Sequence, residues 1–527
     1  MQLVNKVIFI KREKENIMKK LKKLFAVMLS LIMVLAMGIT SFADTGVRPE
    51  DGDAKAVKID NVEDGATIDA YQIIDATYKT EGFVGYVWSK GMDQVNKTVN
   101  AAVKAPNSEV TSALVTELSK KDLTKLNHVG NVKSNETPLP VGTWMLIVTP
   151  PTTNPAKVYN PMVVSVYYST TGSGDKATME SKPVDASDNW KLTTTDAYVK
   201  SSEITVTKTT KDTDEAAQVG TDVEFTITGT IPSYSSEYTT VQYDLNDTLT
   251  EGLVFNGGTT DNILPKDLSV KVGGADVDAS KYTVKNNNAT QFTVSFHSDY
   301  ILGLADVPAA QRAVTITYKA QVTADAITID YAQNDVTLNY TNKPGENNGS
   351  KTDTSYVSTV ELDGVLQKVK ANQTEALPGA EFTLYHGNDI VGSYTTGNDG
   401  DIEFKGLDAD EEYTLKETKA PAGYSLNNTV YTIKFKNVVK DETTKKITSY
   451  QVEISYQNAD GQTVTETSGT IDIHVAAEAP TVKIVNTQLS ELPSTGGIGT
   501  TIFTIVGCGI MIAAAGLFFA SRRKENR

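Results

Sequence analysis

Short runs in which apolar and polar residues alternate recur through most of the chain, separated by clusters of Asn, Asp and Gly. Residues 221–231, 313–323, 431–436 and 450–456 are examples, each rich in Val, Thr, Ile and Tyr. A period of two puts alternate side chains on opposite faces of an extended chain, so these runs predict half-buried strands and all-β sandwiches. More continuously apolar stretches at 66–74, 143–148 and 162–166 predict buried strands, the last two entered through Pro-containing turns. Helical periodicity is scarce. The best case is 108–120, where Ser108 is placed to cap and Val110, Leu114, Val115 and Leu118 fall on one face.

Both ends depart from this pattern. Lys19, Lys20, Lys22 and Lys23 precede an apolar run at 24–39, and Ser41-Phe42-Ala43 offers small residues around a cleavage point. This reads as a signal peptide over 1–43, with Met18 as its natural start and 1–17 as a mis-assigned upstream extension. At the other end, 499–520 carries no charge. About 20 such residues cross a bilayer as a helix. Arg522, Arg523, Lys524 and Arg527 follow and should stay cytoplasmic. The chain between the two apolar ends is therefore expected to be exported, its mature form starting near Asp44.

Composition narrows the function. The single cysteine of the 527 residues, Cys508, lies inside the C-terminal apolar run, so the exported part has no disulfide available to it. Net charge is −16 with acids and bases interspersed, which argues against nucleic acid or an anionic membrane as partner. Four histidines and no Cys/His cluster give no basis for a metal centre, and nothing points to a cofactor. Asp51-Gly52-Asp53 and Asp399-Gly400-Asp401 lack the distal Glu of a calcium loop and read as turns. No Gly-x-Ser-x-Gly element with a partner His supports hydrolase chemistry. At about 150 residues per domain the exported part suits three, with divisions near 201 and 357.

Leu492-Pro493-Ser494-Thr495-Gly496, standing directly before the apolar span and basic tail, resembles the LPXTG sorting signal of Gram-positive surface proteins. That resemblance implies cleavage between Thr495 and Gly496 by a sortase and a thioester on Thr495 that an amine later takes over. The apolar helix would then be removed on sorting. Trp190 to Lys200 resembles the pilin motif of sortase-assembled pilus backbones, which ends in Tyr-Pro-Lys. Here Val199 stands in place of the proline, and Trp190 is one residue further from the lysine. By resemblance Lys200 is the acceptor amine, with Lys191 and Lys208 as substitutes.

Residues 201–356 resemble the CnaA-type immunoglobulin-like domain, in which a first-strand lysine joins a last-strand asparagine with an acid between them. The matching positions are Lys208, Asn334 and Asp247. Residues 357–490 resemble the CnaB type, on 368–371 and 377–385, an E-box-like 413–424, and a closing strand at 482–487. Its implied trio is Lys368, Glu417 and Asn486, with Lys370 a rival that fits the alternation less well. A core that disfavours both the charged lysine and the charged carboxylate suits spontaneous amide formation. The resemblance as a whole implies a structural fibre subunit, joined Thr495 to Lys200, that is a sortase substrate and not an enzyme with turnover. A β-rich N-terminal domain with a short helix, 44–200, would carry Lys200. Implied partners are sortase, further copies of the chain and peptidoglycan, with minor pilins and a host ligand as additional ones, and the implied location is the cell-wall-anchored surface pilus. A monomeric wall-anchored adhesin is the alternative.

Overall fold

The structure is a computed structural model that describes residues 48–489 and 499–525, apart from 96–98, 105, 170–181, 184–189, 212–215, 256–263 and 445. The signal peptide and the 492–496 pentapeptide lie outside the described residues. The chain is mostly β and divides into two compact units. The first comprises the described residues up to Val62, Thr67–Val148 and Pro161–Lys200. Glu63–Ala66, Thr149–Asn160 and the chain from Ser201 onward form the second.

The first unit is built on one large sheet. Its strands run in the order Lys191–Thr194, Met162–Ser169, Gly142–Thr149, Thr67–Lys79, Gly82–Trp88 and Ala102–Val103, with His128–Val129 added beside Thr67–Lys79. Phe83, Tyr86, Tyr168 and Trp190 meet edge to face at one end of it. The helical stretch differs from the sequence expectation. It is two short helices, Pro106–Glu109 and Ser112–Ser119, and the second is capped by the Thr111 hydroxyl, which accepts from the Leu114 N–H at 3.2 Å. Pro106 explains the shift: its fixed φ favours the first helical position, which places Ser108 inside a turn and not at its start. Leu114, Val115 and Leu118 are buried as the periodicity predicts.

The second unit holds two hydrophobic cores. The first lies between a sheet ordered Val206–Thr210, Asp222–Thr230, Ala313–Val322, Lys266–Val272, Ala275–Asp276 and a sheet ordered Tyr282–Asn288, Gln291–Phe296, Tyr243–Leu249, Ala332–Tyr340, Gly349–Val357. Strict alternation of buried and part-exposed residues along Ala313–Val322 and Ala332–Tyr340 shows how the period of two fills this core. The second core sits under a sheet ordered Asp389–Thr395, Glu381–His386, Glu412–Lys419, Val430–Lys440, Ile447–Gln457, Thr463–Thr467. Facing it are two small pairs, Val360–Leu362 with Phe404–Leu407, and Leu366–Lys370 in parallel with Val482–Asn486. The connection after Val206–Thr210 links the two cores. Ala216, from this connection, is buried in the second core, and the Ala217 N–H donates to the Ser358 carbonyl at 3.0 Å.

The Asp399–Asp401 turn fixes the Leu366–Lys370 strand from its open side. Gly400 has φ +71, its carbonyl accepts from the Lys368 N–H at 2.6 Å, and a Cβ there would collide with the Lys368 carbonyl oxygen. Further on, Gly499–Glu525 is a single helix whose stretch Ile502–Arg523 is long and apolar enough to cross a membrane, with mean hydropathy 2.3. Gly400→Ala is expected to cost about 1–3 kcal/mol through the strained φ and the displaced strand, read as an earlier unfolding transition in denaturant.

Candidate functional site

Lys368 lies mid-strand on Leu366–Lys370 and is 0% exposed, its neighbour Val369 being buried as well. Lys370, the rival two residues on, is half-buried and pairs with Glu375 at 2.6 Å. Glu412–Lys419 brings Glu417 into the core beside Phe382, and Val482–Asn486 brings Asn486. The three converge. Lys368 Nζ donates to Glu417 Oε2 at 3.1 Å and to Asn486 Oδ1 at 2.5 Å, and Asn486 Nδ2 donates to Glu417 Oε1 at 2.6 Å. Each carboxylate oxygen thus serves one of the two nitrogens that an amide exchange would involve. Burial pushes the Lys368 ammonium down to about 8, against the pull of Glu417 to keep it charged.

The first core assembles its residues differently. Lys208 sits on Val206–Thr210 in one sheet, while Asp247 and Asn334 sit on Tyr243–Leu249 and Ala332–Tyr340 in the facing sheet. The strand bearing Asn334 is the penultimate one of this sandwich. Gly349–Val357 follows it after the turn at Lys343–Glu346, so the expected last-strand placement is corrected. Lys208 Nζ donates to Asp247 Oδ2 and to the Tyr318 hydroxyl, and it lies 4.7 Å from the centre of the Tyr318 ring. Tyr318 donates to Asp247 Oδ2 at 2.6 Å and accepts from Asn334 Nδ2 at 2.8 Å. The lysine and asparagine are therefore linked through a tyrosine hydroxyl.

Tyr318 is the functional candidate that sequence reasoning missed. Its signal was an inward-facing hydroxyl in the otherwise aliphatic stripe Val314, Ile316, Ala320, Val322, since a buried hydroxyl needs a partner. Burial drives Lys208 down and Asp247 up, each opposed by the other's charge, and the direction for both is toward the neutral form. Burial also raises Tyr318 well above the ordinary tyrosine value. Asp247 Oδ1 and Asn334 Oδ1 are buried acceptors with no hydrogen-bond partner. A proton on the Asp247 carboxyl would supply the donor this pocket lacks.

In the first unit, Lys200 is exposed, two residues after the end of the short strand Ala197–Tyr198. Val199, standing where the resemblance expects proline, uses its N–H to donate to the Asp60 carbonyl at 3.0 Å, a bond no proline could make. Trp190 is buried and Lys191 exposed. Thr495 lies outside the described residues.

Comparison with known proteins follows the same lines. Residues 363–451 match the SpaA family of prealbumin-like fold domains, and residues 484–527 match the LPXTG cell wall anchor motif. The chain is 26% identical to the trypsin-resistant surface T6 protein of Streptococcus pyogenes serotype M6, over 94% of this chain and 99% of that protein. It is 24% identical to the fimbrial subunit type 2 of Actinomyces naeslundii, over 63% of this chain and 62% of that one. The solved structure of the T6 backbone pilin of Streptococcus pyogenes shares its fold with a TM-score of 0.55 at 19% identity, covering 84% of this chain and 100% of that one. The chain carries an LPXTG cell wall anchor and a SpaA-type prealbumin-like domain on the fold of a backbone pilin.

Proposed function

We propose that this chain is a backbone subunit of a sortase-assembled pilus on a Gram-positive cell, linked Thr495 to Lys200 of the next copy and clamped internally by two Lys–Asn amides. Its ultimate attachment is to peptidoglycan. What carries the reading is likeness over 94% of the chain to a surface protein whose solved counterpart is named a backbone pilin, together with the anchor match at 484–527. We further propose the division 44–200, 201–356 and 357–490 as its three modules.

The buried trios support the clamps. In the second core the neutral Lys368 amine attacks Asn486 Cγ, and a C–N bond forms as the bond to Nδ2 breaks. Glu417, bonded to both nitrogens, takes the proton from the amine and passes it to the departing ammonia. In the first core Asp247 does the same through the Tyr318 hydroxyl, with Lys208 as nucleophile and Asn334 as acceptor. Holding the reactants together in a dry core supplies much of the rate. Each amide takes the place that a disulfide fills in other exported proteins.

Intact mass tests the clamps directly. The folded mature chain should weigh less than its sequence by two ammonia molecules, and Glu417→Ala should regain one of them; an unshifted mass rejects the clamps. Tyr318→Phe strands Asp247 and Asn334 and should lower stability by about 1–3 kcal/mol, while also slowing the first amide and leaving the second intact.

The pH dependence follows from the depressed Lys368 pKa. Amide formation in the second core, timed by mass after dilution of unlinked chain from denaturant, should quicken with rising pH and reach half its plateau near pH 8. The unlinked fold should itself gain stability as pH rises from about 8 toward 10.5, because there the unfolded chain binds the extra proton.

For the polymer, wall-released protein from the producing cell should run as a ladder that survives boiling in denaturant. Lys200→Arg should collapse it to monomer. A monomer band from the unaltered chain would instead leave the wall-anchored adhesin.

A further inference from the structure

An acceptor lysine has to be presented at a defined place, yet Lys200 leaves the sheet after a strand of only two residues, Ala197–Tyr198, paired in parallel with Ile59–Asp60. So short a pairing fixes little on its own. Side chains alternate here, Ala197 and Val199 buried and Tyr198 and Lys200 exposed, so the lysine's direction depends on how the backbone is held at Val199. Two ladder bonds hold it from one side: the Ala197 N–H donates to the Lys58 carbonyl at 2.8 Å and the Val199 N–H to the Asp60 carbonyl at 3.0 Å.

The remaining group, the Val199 carbonyl, is held by a side chain. Asn61 Nδ2 donates to it at 2.7 Å. The Val199 carbonyl and the Lys200 nitrogen belong to one rigid peptide plane. Asn61 therefore sets the orientation of the plane from which the Lys200 Cα departs. Its own backbone, at φ +67, lies in the left-handed region that asparagine tolerates better than most residues. This conformation turns the chain after Ile59–Asp60 and leaves the amide against Val199.

We propose that Asn61 is a positioning residue for the acceptor amine of Lys200. A proline at 199 would stiffen the approach through its ring, whereas this chain fixes both faces of Val199 by hydrogen bonds, and Asn61 supplies the second. The step it serves is aminolysis of an acyl thioester. Lys200 Nζ bonds to the Thr495 carbonyl carbon of a second copy, the carbon–sulfur bond breaks, and the amine proton goes to the released thiolate. The proposal rests on the assignment of Lys200 as that amine.

The test uses the full chain in its producing cell, with wall-released protein read as polymer ladder against monomer. Asn61→Gly keeps the left-handed backbone without the donor, and Asn61→Asp keeps the size and the local turn but offers only an acceptor. Both should lower polymer yield about tenfold, the worth of one well-placed hydrogen bond. The monomer that accumulates should keep the melting temperature of a Lys200→Arg monomer. Polymer at the unaltered level in both Asn61 variants, with Lys200→Arg abolishing it, would overturn the role of Asn61 and keep Lys200. Polymer persisting in Lys200→Arg would overturn both. Loss of polymer accompanied by a lowered melting temperature of the monomer would also overturn the positioning role, making Asn61 a structural residue only.

Discussion

The constraint on which the structure turns is a lysine amine shut inside an apolar core. Removing an ammonium from water costs several kcal/mol even after relaxation, and this chain bears that cost twice, at Lys208 and Lys368. Each core meets it in the same way, with one acid to share the charge and one amide within the same network. Because burial outweighs the pull of the acid, both lysines are driven toward the neutral amine. The features that make the lysines poor surface residues are the ones that make them nucleophiles.

Two different frameworks reach this arrangement. In the second core the lysine and asparagine strands are parallel neighbours, so Lys368, Asn486 and Glu417 close a ring of direct hydrogen bonds. In the first core the lysine strand belongs to one sheet and the asparagine strand to the other. The gap between sheets is filled by Tyr318, packed against Phe225, Phe255 and Phe292, with its hydroxyl as the bridge. An aromatic ring thus does in one core what strand pairing does in the other.

Much of this was legible in the chain itself. Glu417 and Asn486 each fall on a clean alternation, and alternation decides which face a side chain takes. It does not separate Lys368 from Lys370, which stand two residues apart on a strand where Val369 is buried as well. The first core was harder to read for a physical reason. A contact across two sheets depends on sheet packing, which a period of two does not encode, so Tyr318 looked like one more inward aromatic. The strand after Asn334 was hidden by the Pro- and Gly-bearing turn at 343–349, which punctuates the chain as strongly as a domain end would. The helix start was displaced because two capping candidates, Ser108 and Thr111, lie within one turn of each other, and Pro106 settles the choice. Asn61 carried no periodic signal at all; its role comes from a single left-handed turn.

Ala216 shows that the two cores of the second unit are not separate beads. A residue from the first sandwich is buried in the second, and the neighbouring Ala217 is bonded to Ser358. If the two proposed amides are in place, tension along a fibre enters at Lys208, passes to Asn334, follows the backbone to Lys368 and leaves through Asn486. Residues 209–333 and 369–485 then hang outside the loaded path, and only 334–368 between the clamps carries force. Ser358 lies within that loaded stretch, and the slack loop holding Ala216 is fastened to it. The joint between the cores therefore lies in the loaded path, in series with Gly349–Val357 and the part of Ala332–Tyr340 that follows Asn334, while the strands within 209–333 and 369–485 stay unloaded.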